Sequence, residues 1–290
     1  MLIDMNKRSI VFIVSVGSLM LNGLNLGLDF TGGTQFEISY QQPANLNQIR
    51  QELNQAGFDQ AVVQAYGTSR DVLIRIGVRE GGDPKTLRDR VMAVLSGATL
   101  QQDQFIGPQV GKTLVTNGIL AIIVSLLATM LYIAMRFEYR FAISATIALI
   151  HDPVLILGIF SFFHLDFNLI TLAAVLTIIG YSINDTIVVY DRVRENFRKI
   201  RKGSSLEIMN ISINQTLSRT IMTSGLTLLV VIALYIFGGE MLRGFSLALI
   251  IGIIIGTYSS IYVAGSAAIA MGLQRSHLLP TAKKEVDDLP

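Results

Sequence analysis

Six stretches of roughly 20 residues carry almost no charge, at 10–28, 115–135, 141–163, 167–190, 216–237 and 245–273. A helix of that length crosses the hydrocarbon core of a bilayer. Within lipid every backbone group must be satisfied internally, so only helices and closed barrels are viable. The runs are too long for barrel strands, so a multi-pass α-helical membrane protein is expected, with six transmembrane helices. Composition agrees, because only 15% of the 290 residues are charged against about 25% in soluble domains. Hydrophobic residues make up 51%, which excludes disorder.

Other counts exclude whole classes of chemistry. Lys+Arg 23 against Asp+Glu 21 leaves a net charge of +2, too little for a nucleic-acid-binding field. Cysteine is absent, which removes thiol catalysis, cysteine zinc sites and disulfides. Tryptophan is absent too, so an interfacial aromatic belt falls to Tyr and Phe.

The charges lie in the connections, and their sign sets the orientation. Lys7 and Arg8 precede the first span and Arg136 and Arg140 separate the second from the third. Arg192, Arg194, Arg198, Lys199, Arg201 and Lys202 crowd a basic loop at 191–215, and Arg275, Lys283 and Lys284 follow the sixth span. The intervening short loops hold little beyond Asp166, Glu240 and Arg243. The positive-inside rule then places both termini in the cytoplasm. The first span reads as an uncleaved anchor, since Asn22, Asn25 and Asp29 follow it without a small-residue cleavage pattern. The chain divides into residues 1–28 (cytoplasmic N-terminus and first span), 29–114 (external), 115–273 (spans two to six) and 274–290 (cytoplasmic tail).

The external segment reads as a small α+β domain. Strand patterns at 34–40, 61–66, 70–76 and 99–106 alternate with helical patterns at 45–56 and 84–95. The order β-α-β-β-α-β is that of a ferredoxin-like split βαβ unit. It carries no catalytic cluster, and is either a packed spacer or a docking surface for a partner or an unfolded chain. Gly32-Gly33 stands where the first span enters it, as a simple turn or as a hinge.

Ionisable groups inside spans are functional candidates because a charge at mid-bilayer costs about 2.5–3.5 kcal/mol. The fourth span holds Tyr181-Ser182-Ile183-Asn184-Asp185, with Asp185 roughly 8 Å inside its cytoplasmic end at 1.5 Å per residue. Arg219 in the fifth span falls at matching depth if the two helices are neighbours. The pair is a titrating charge couple, a permanent structural bridge, or an aspartate beside an arginine that snorkels to the interface. His151-Asp152 precedes Pro153 near the middle of the third span. Adjacent residues point about 100° apart on a helix, so His151 and Asp152 are not expected to serve one another. They extend a polar pathway from Asp185 or satisfy a proline kink. Ala248, Gly252, Gly256, Ser260, Ala264 and Ala268 recur every four residues in the sixth span, a ladder that permits close helix packing. No hydrolase, phosphate-loop or zinc-protease motif occurs, so the chain is not expected to be an enzyme or to hold a metal.

Several motifs together carry a resemblance. They are Gly27-Leu28-Asp29-Phe30-Thr31-Gly32-Gly33, Arg136-Phe137-Glu138, His151-Asp152, the run from Gly180 to Val188 leading into Asp191-Arg192-Val193-Arg194-Glu195-Asn196, Asn214 to Thr220, and Gly256-Thr257-Tyr258-Ser259-Ser260. Over nearly its whole length the chain resembles the SecF family, the smaller membrane subunits of bacterial SecDF protein-export complexes in the resistance-nodulation-division superfamily. The resemblance implies a second six-span subunit, SecD, and a plasma (inner) membrane complex beside the SecYEG channel, with YajC and YidC. It implies use of the proton motive force, without another cofactor, to draw preproteins out on the far side. It places Asp185 and Arg219 at positions associated with proton conduction, and the principal proton-carrying aspartate in SecD. The competing reading is a non-conducting subunit that clamps SecD and its associates. Half of a small-molecule exporter is a third.

Overall fold

The structure is a computed structural model that describes residues 5–77 and 83–274. In chain order the described elements are α1 (Met5–Leu21), β1 (Asn25–Leu26), α2 (Leu28–Thr31), β2 (Gly33–Tyr40), α3 (Leu46–Gln55), β3 (Val62–Tyr66), β4 (Thr68–Ile76), α4 (Pro84–Val94), β5 (Ala98–Ile106), α5 (Pro108–Arg136), α6 (Tyr139–Phe162), β6 (Asp166–Phe167), α7 (Leu169–Lys199), α8 (Ser205–Phe237) and α9 (Gly239–Ala270). The five helices α5 to α9 are long and apolar enough to cross a membrane. The molecule is a multi-pass helical membrane protein.

The boundaries depart from the hydropathy pattern where chain chemistry intervenes. The first apolar stretch is expected to run to residue 28, but α1 ends at Leu21. Asn22 and Gly23, the latter at φ +67°, terminate it. The chain then extends so that β1 pairs in parallel with β6. The basic stretch 191–215 is mostly helix rather than loop. The helix α7 continues through it to Lys199, and α8 starts at Ser205 behind a capping box between Ser204 and Glu207. Hydropathy marks where a helix meets lipid; α7 continues past that stretch on charged, helix-favouring residues, and both extensions pack onto the core through Val193, Phe197, Ile208 and Met209.

The segment between α2 and α5 forms a four-stranded antiparallel sheet in the order β3-β4-β2-β5. Alternation along β2 turns Phe36 and Ile38 inward, onto Ile49 and Leu53 of α3 and Leu87 and Val91 of α4. Both helices are capped by side chains. Asn45 accepts from the amides of Asn47 and Gln48, and Asp83 accepts from that of Thr86, with Pro84 at the first helical position.

Within the bundle α9 packs against α6, α7 and α8, and its small-residue ladder explains how. A Cβ at Gly252 would meet Ile178 of α7 at 2.1 Å, and one at Gly256 would lie 3.2 Å from Ser182 Cβ. Close approach of this kind drives helix association in lipid, where hydrophobic burial gives little gain. A second seam joins α1 to α6. A Cβ at Gly158 would meet Ser15 at 2.2 Å, and the Ser18 and Ser161 hydroxyls bond at 2.9 Å. Pro153 stands inside α6, which continues through it from Tyr139 to Phe162.

Candidate functional site: polar groups inside the helix bundle

Two buried carboxylates organise the interior. Asp185 of α7 is 3% exposed. Its Oδ2 accepts from the Ser224 hydroxyl of α8 at 3.3 Å, and Ser224 in turn accepts from Thr257 of α9 at 2.8 Å. Asp185 therefore touches α8 directly and α9 through one hydroxyl. Arg219 lies on α8 as expected, but its side chain is exposed and the two residues form no direct ion pair. The geometry follows from side-chain direction. Residues five apart, such as 219 and 224, do not share a helix face, and the face that meets α7 is the one bearing Thr220 and Ser224. A long guanidinium stem can instead reach the polar boundary.

Asp152 of α6 is wholly buried and better supplied. Its Oδ2 accepts from Ser182 of α7 at 2.6 Å and from Ser259 of α9 at 2.8 Å. Its Oδ1 lies 3.1 Å from His151 Nδ1. The expectation that these neighbours ignore each other is wrong. The His151 ring stacks on Phe12 of α1, centroids 5.6 Å apart and 3° from parallel, and that stacking holds its Nδ1 toward the carboxylate. Helical angular spacing governs where the Cβ atoms point, not where a ring two bonds further out is held.

The remaining candidates divide by face. Ser182 is buried and Asn184 is exposed. Tyr181 is half-buried, with its hydroxyl enclosed and lacking a hydrogen-bond partner. Below Ser182 the polar line continues, with Thr186 donating to Ser260 at 3.0 Å and Ser260 to the Ser182 carbonyl at 3.1 Å. Tyr190 bonds Ser144 of α6 at 2.6 Å and the Ala264 carbonyl at 3.2 Å. Sequence reasoning passes over Ser224, and takes Thr257, Ser259 and Ser260 only as motif or packing residues, because hydroxyl residues are common in spans and serve equally as small packing residues. The signal that distinguishes Ser259 and Ser260 is the small-residue ladder, which contains Ser260 and has Ser259 beside it.

A second polar cluster fastens the sheet domain to the bundle. Asp29 Oδ2 accepts from the Leu169 amide at 2.9 Å, and Asn168 accepts from that of Thr171 at 2.8 Å, so both cap the N-terminus of α7. Asp166 accepts from Asn25 at 2.6 Å and forms a 2.8 Å ion pair with Arg75 of β4. In the amide orientation that satisfies both neighbours, Gln64 of β3 donates to Asp166 and accepts from Arg75. Gly32 and Gly33 stand at the corner beside this cluster at φ +70° and +127°. A Cβ on Gly33 would lie 2.4 Å from the Ile76 carbonyl oxygen, and one on Gly32 would lie 3.2 Å from that of Ile106. The pair forms a close-packed joint, and glycine is there for backbone proximity as well as for its dihedral range.

Comparison with known proteins agrees with this architecture. The family described as protein export membrane protein SecD/SecF, C-terminal, matches residues 87–274, and the SecD/SecF GG motif matches residues 17–44, which include the Gly32-Gly33 corner. The chain is 48% identical to protein translocase subunit SecF of Vibrio alginolyticus, over 95% of this chain and 90% of that one. It is 46% identical to SecF of Pseudomonas aeruginosa, over 97% and 93%. The crystal structure of SecDF from Thermus thermophilus, described as a translocon-associated membrane protein, superposes with a TM-score of 0.84 at 37% identity. The match covers 92% of this chain and 37% of that one. A SecDF structure in a super-membrane-facing form matches at 38% identity and the same coverage, with a TM-score of 0.67.

Proposed function

The chain belongs to the SecF family of protein translocase subunits, and from that premise we propose that it assists Sec-dependent preprotein export by drawing on the proton motive force. In this reading it is an inner-membrane protein with six spans, α1 and α5 to α9, both termini in the cytoplasm, and a ferredoxin-like domain on the external side. It pairs with a SecD subunit and works beside SecYEG, with YajC and YidC as further associates and the preprotein met outside. Lipid covers the remaining apolar faces.

The observation that supports the reading is Asp185, a carboxylate buried in a transmembrane helix with one hydroxyl as its direct partner among the described residues. An ionisable group held inside a span is a functional candidate because its charge is costly there. Protonation removes its charge, so its attraction to Arg219 disappears and the α7–α8 contact loosens. The N-terminus of α7 is capped by Asp29 and follows Asp166, the residue bonded to Arg75. Movement of α7 therefore pulls directly on the external domain, with the packed Gly32-Gly33 corner as the joint. One charge crossing 100 mV releases about 2.3 kcal/mol, enough to bias a two-state equilibrium roughly 50-fold at 1.4 kcal/mol per decade.

The test is preprotein export in vesicles carrying the complete translocase. Asp185→Asn keeps the shape and the Ser224 hydrogen bond, so a clamp without proton traffic should work normally with it. The expected result is normal insertion and assembly, with stimulation by the proton gradient lost and gradient-independent export retained. Stimulation at the wild-type level would sink the proposal and leave the clamp.

A further inference from the structure

We propose that Asp152 is a second proton-accepting group, and that its charge state decides how tightly α6, α7 and α9 are joined at mid-membrane. The proposal rests on reading the bundle as proton-driven, and concerns an acid that the Asp185 step does not use.

Four helices meet at Asp152. From α7 comes the Ser182 hydroxyl, from α9 the Ser259 hydroxyl, and from α6 itself His151, which is stacked on Phe12 of α1. Among the titratable groups of these elements, His151 is in contact, and Asp185 stands one turn beyond Ser182 on α7. The facing residues of α9 are Ser259 and Gly256, and a Cβ on Gly256 would come within 3.7 Å of Asp152 Oδ2. Small residues thus face the carboxylate, and its bonds span the seam between the three helices.

Three polar neighbours converging on one carboxylate suit its anionic form, which only accepts hydrogen bonds. Bonds to an ionised acceptor are roughly twice as strong as neutral ones. The transfer is short. A proton on His151 Nδ1 moves to Asp152 Oδ1, 3.1 Å away, leaving a neutral imidazole and a neutral carboxyl group. Both serine bonds to Oδ2 then fall to ordinary strength. Ser259 has another acceptor in place, the Gly256 carbonyl at 3.1 Å on its own helix, so it can leave the carboxyl without losing its hydrogen bond. Release of Ser259 frees α9 from α6. The residue two positions before it, Thr257, bonds the hydroxyl that holds Asp185. The two acids therefore act on the same pair of helices, α7 and α9.

The chain lacks cysteine, so a spin-labelled pair can be placed cleanly. Ile150→Cys on α6 and Ile254→Cys on α9 are both exposed positions. Pulsed-EPR distances measured on the full chain in lipid nanodiscs should show two populations whose ratio changes with pH. In Asp152→Asn the ratio should be independent of pH and favour the separated form, whereas Asp185→Asn should keep the pH response. Ser259→Ala leaves the carboxylate in place and tests the same joint if Asp152→Asn fails to fold. It should shift the alkaline population toward separation by about tenfold, the loss of one hydrogen bond to a charged group. A pH response that survives in Asp152→Asn, or an alkaline population unmoved in Ser259→Ala, overturns the proposal. The export assay separates this outcome from the broader reading. Intact Asp152-dependent distances with gradient-independent export would defeat the proposed function alone. Gradient-driven export with distances indifferent to Asp152 would defeat only the switch.

Discussion

Gly33 shows how much one residue contributes to the joint between sheet and bundle. It combines a φ of +127° with a backbone carbonyl where a methyl group would sit, so neither a rotamer change nor a small side-chain shift can relieve a substitution. Gly33→Ala should destabilise the folded chain by about 2–3 kcal/mol, adding backbone strain to a steric clash. Gly57, at φ +88° with open space around it, provides the control, and Gly57→Ala should cost about 1 kcal/mol. Thermal melts of the two variants in the same detergent would check the difference, and equal melting temperatures would contradict it. At this scale the sequence identifies which residues matter better than it identifies their partners. Asp185, Asp152 and His151 stand out because ionisable groups are rare in lipid. The partners Ser224 and Ser259 do not, because a serine in a span is chemically unremarkable until its neighbour is known. The absence of a direct Asp185–Arg219 pair has the same origin. Matched depth along two helices says nothing of the angle at which each side chain leaves its own.

At the scale of elements, hydropathy locates the five long helices α5 to α9 and alternation locates the strands of the sheet. Both patterns are imposed by the surroundings of each segment, lipid in one case and a one-sided core in the other. The extensions of α7 and α8 beyond the apolar stretches follow a different cause, helix propensity and capping in polar sequence, which a hydropathy window cannot register. The β1–β6 pairing is invisible for a third reason, since it joins two dipeptides more than a hundred residues apart. The attachment between sheet and bundle depends on it and on Asp166. The Arg75 side chain is 11% exposed, and its Nε is buried without a partner, so the ion pair is what compensates this guanidinium. Asp166→Ala should cost about 1–2 kcal/mol at this contact, because it leaves a half-buried cation unpaired. The effect should be local. Hydrogen exchange should accelerate in β1, in β6 and in the first turn of α7, while α3 and α4, buried against the sheet by Phe36 and Ile38, stay protected. Unchanged exchange across β1 and β6 would show that the backbone pairing alone holds the domain.

On the scale of the whole molecule, the two carboxylate clusters lie at different heights of the same helix. Asp166 and Asp29 hold the start of α7, while Ser182 and Asp185 lie at positions 14 and 17 of its 31 residues. Position 17 is about 24 Å along the axis at 1.5 Å per residue. A stiff helix carries a displacement over that distance without any chain of side-chain rearrangements, which makes α7 the physical connection between interior charge and the sheet domain. The arrangement has a direction only if the sheet lies outside and the α7–α8 turn lies inside. That orientation is the proposed one, and charge is what supports it. The end of α7 and its turn bring together Arg192, Arg194, Arg198, Lys199, Arg201 and Lys202, the asymmetry that fixes orientation during insertion. The cysteine-free background allows a direct check in intact cells. Gln102→Cys on the exposed strand β5 should react with a membrane-impermeant maleimide added outside. Lys202→Cys in the turn after α7 should react only after the membrane is opened. The reverse pattern would turn the molecule over and place the sheet domain on the side where preproteins enter, so the coupling through α7 would no longer act on an emerging chain.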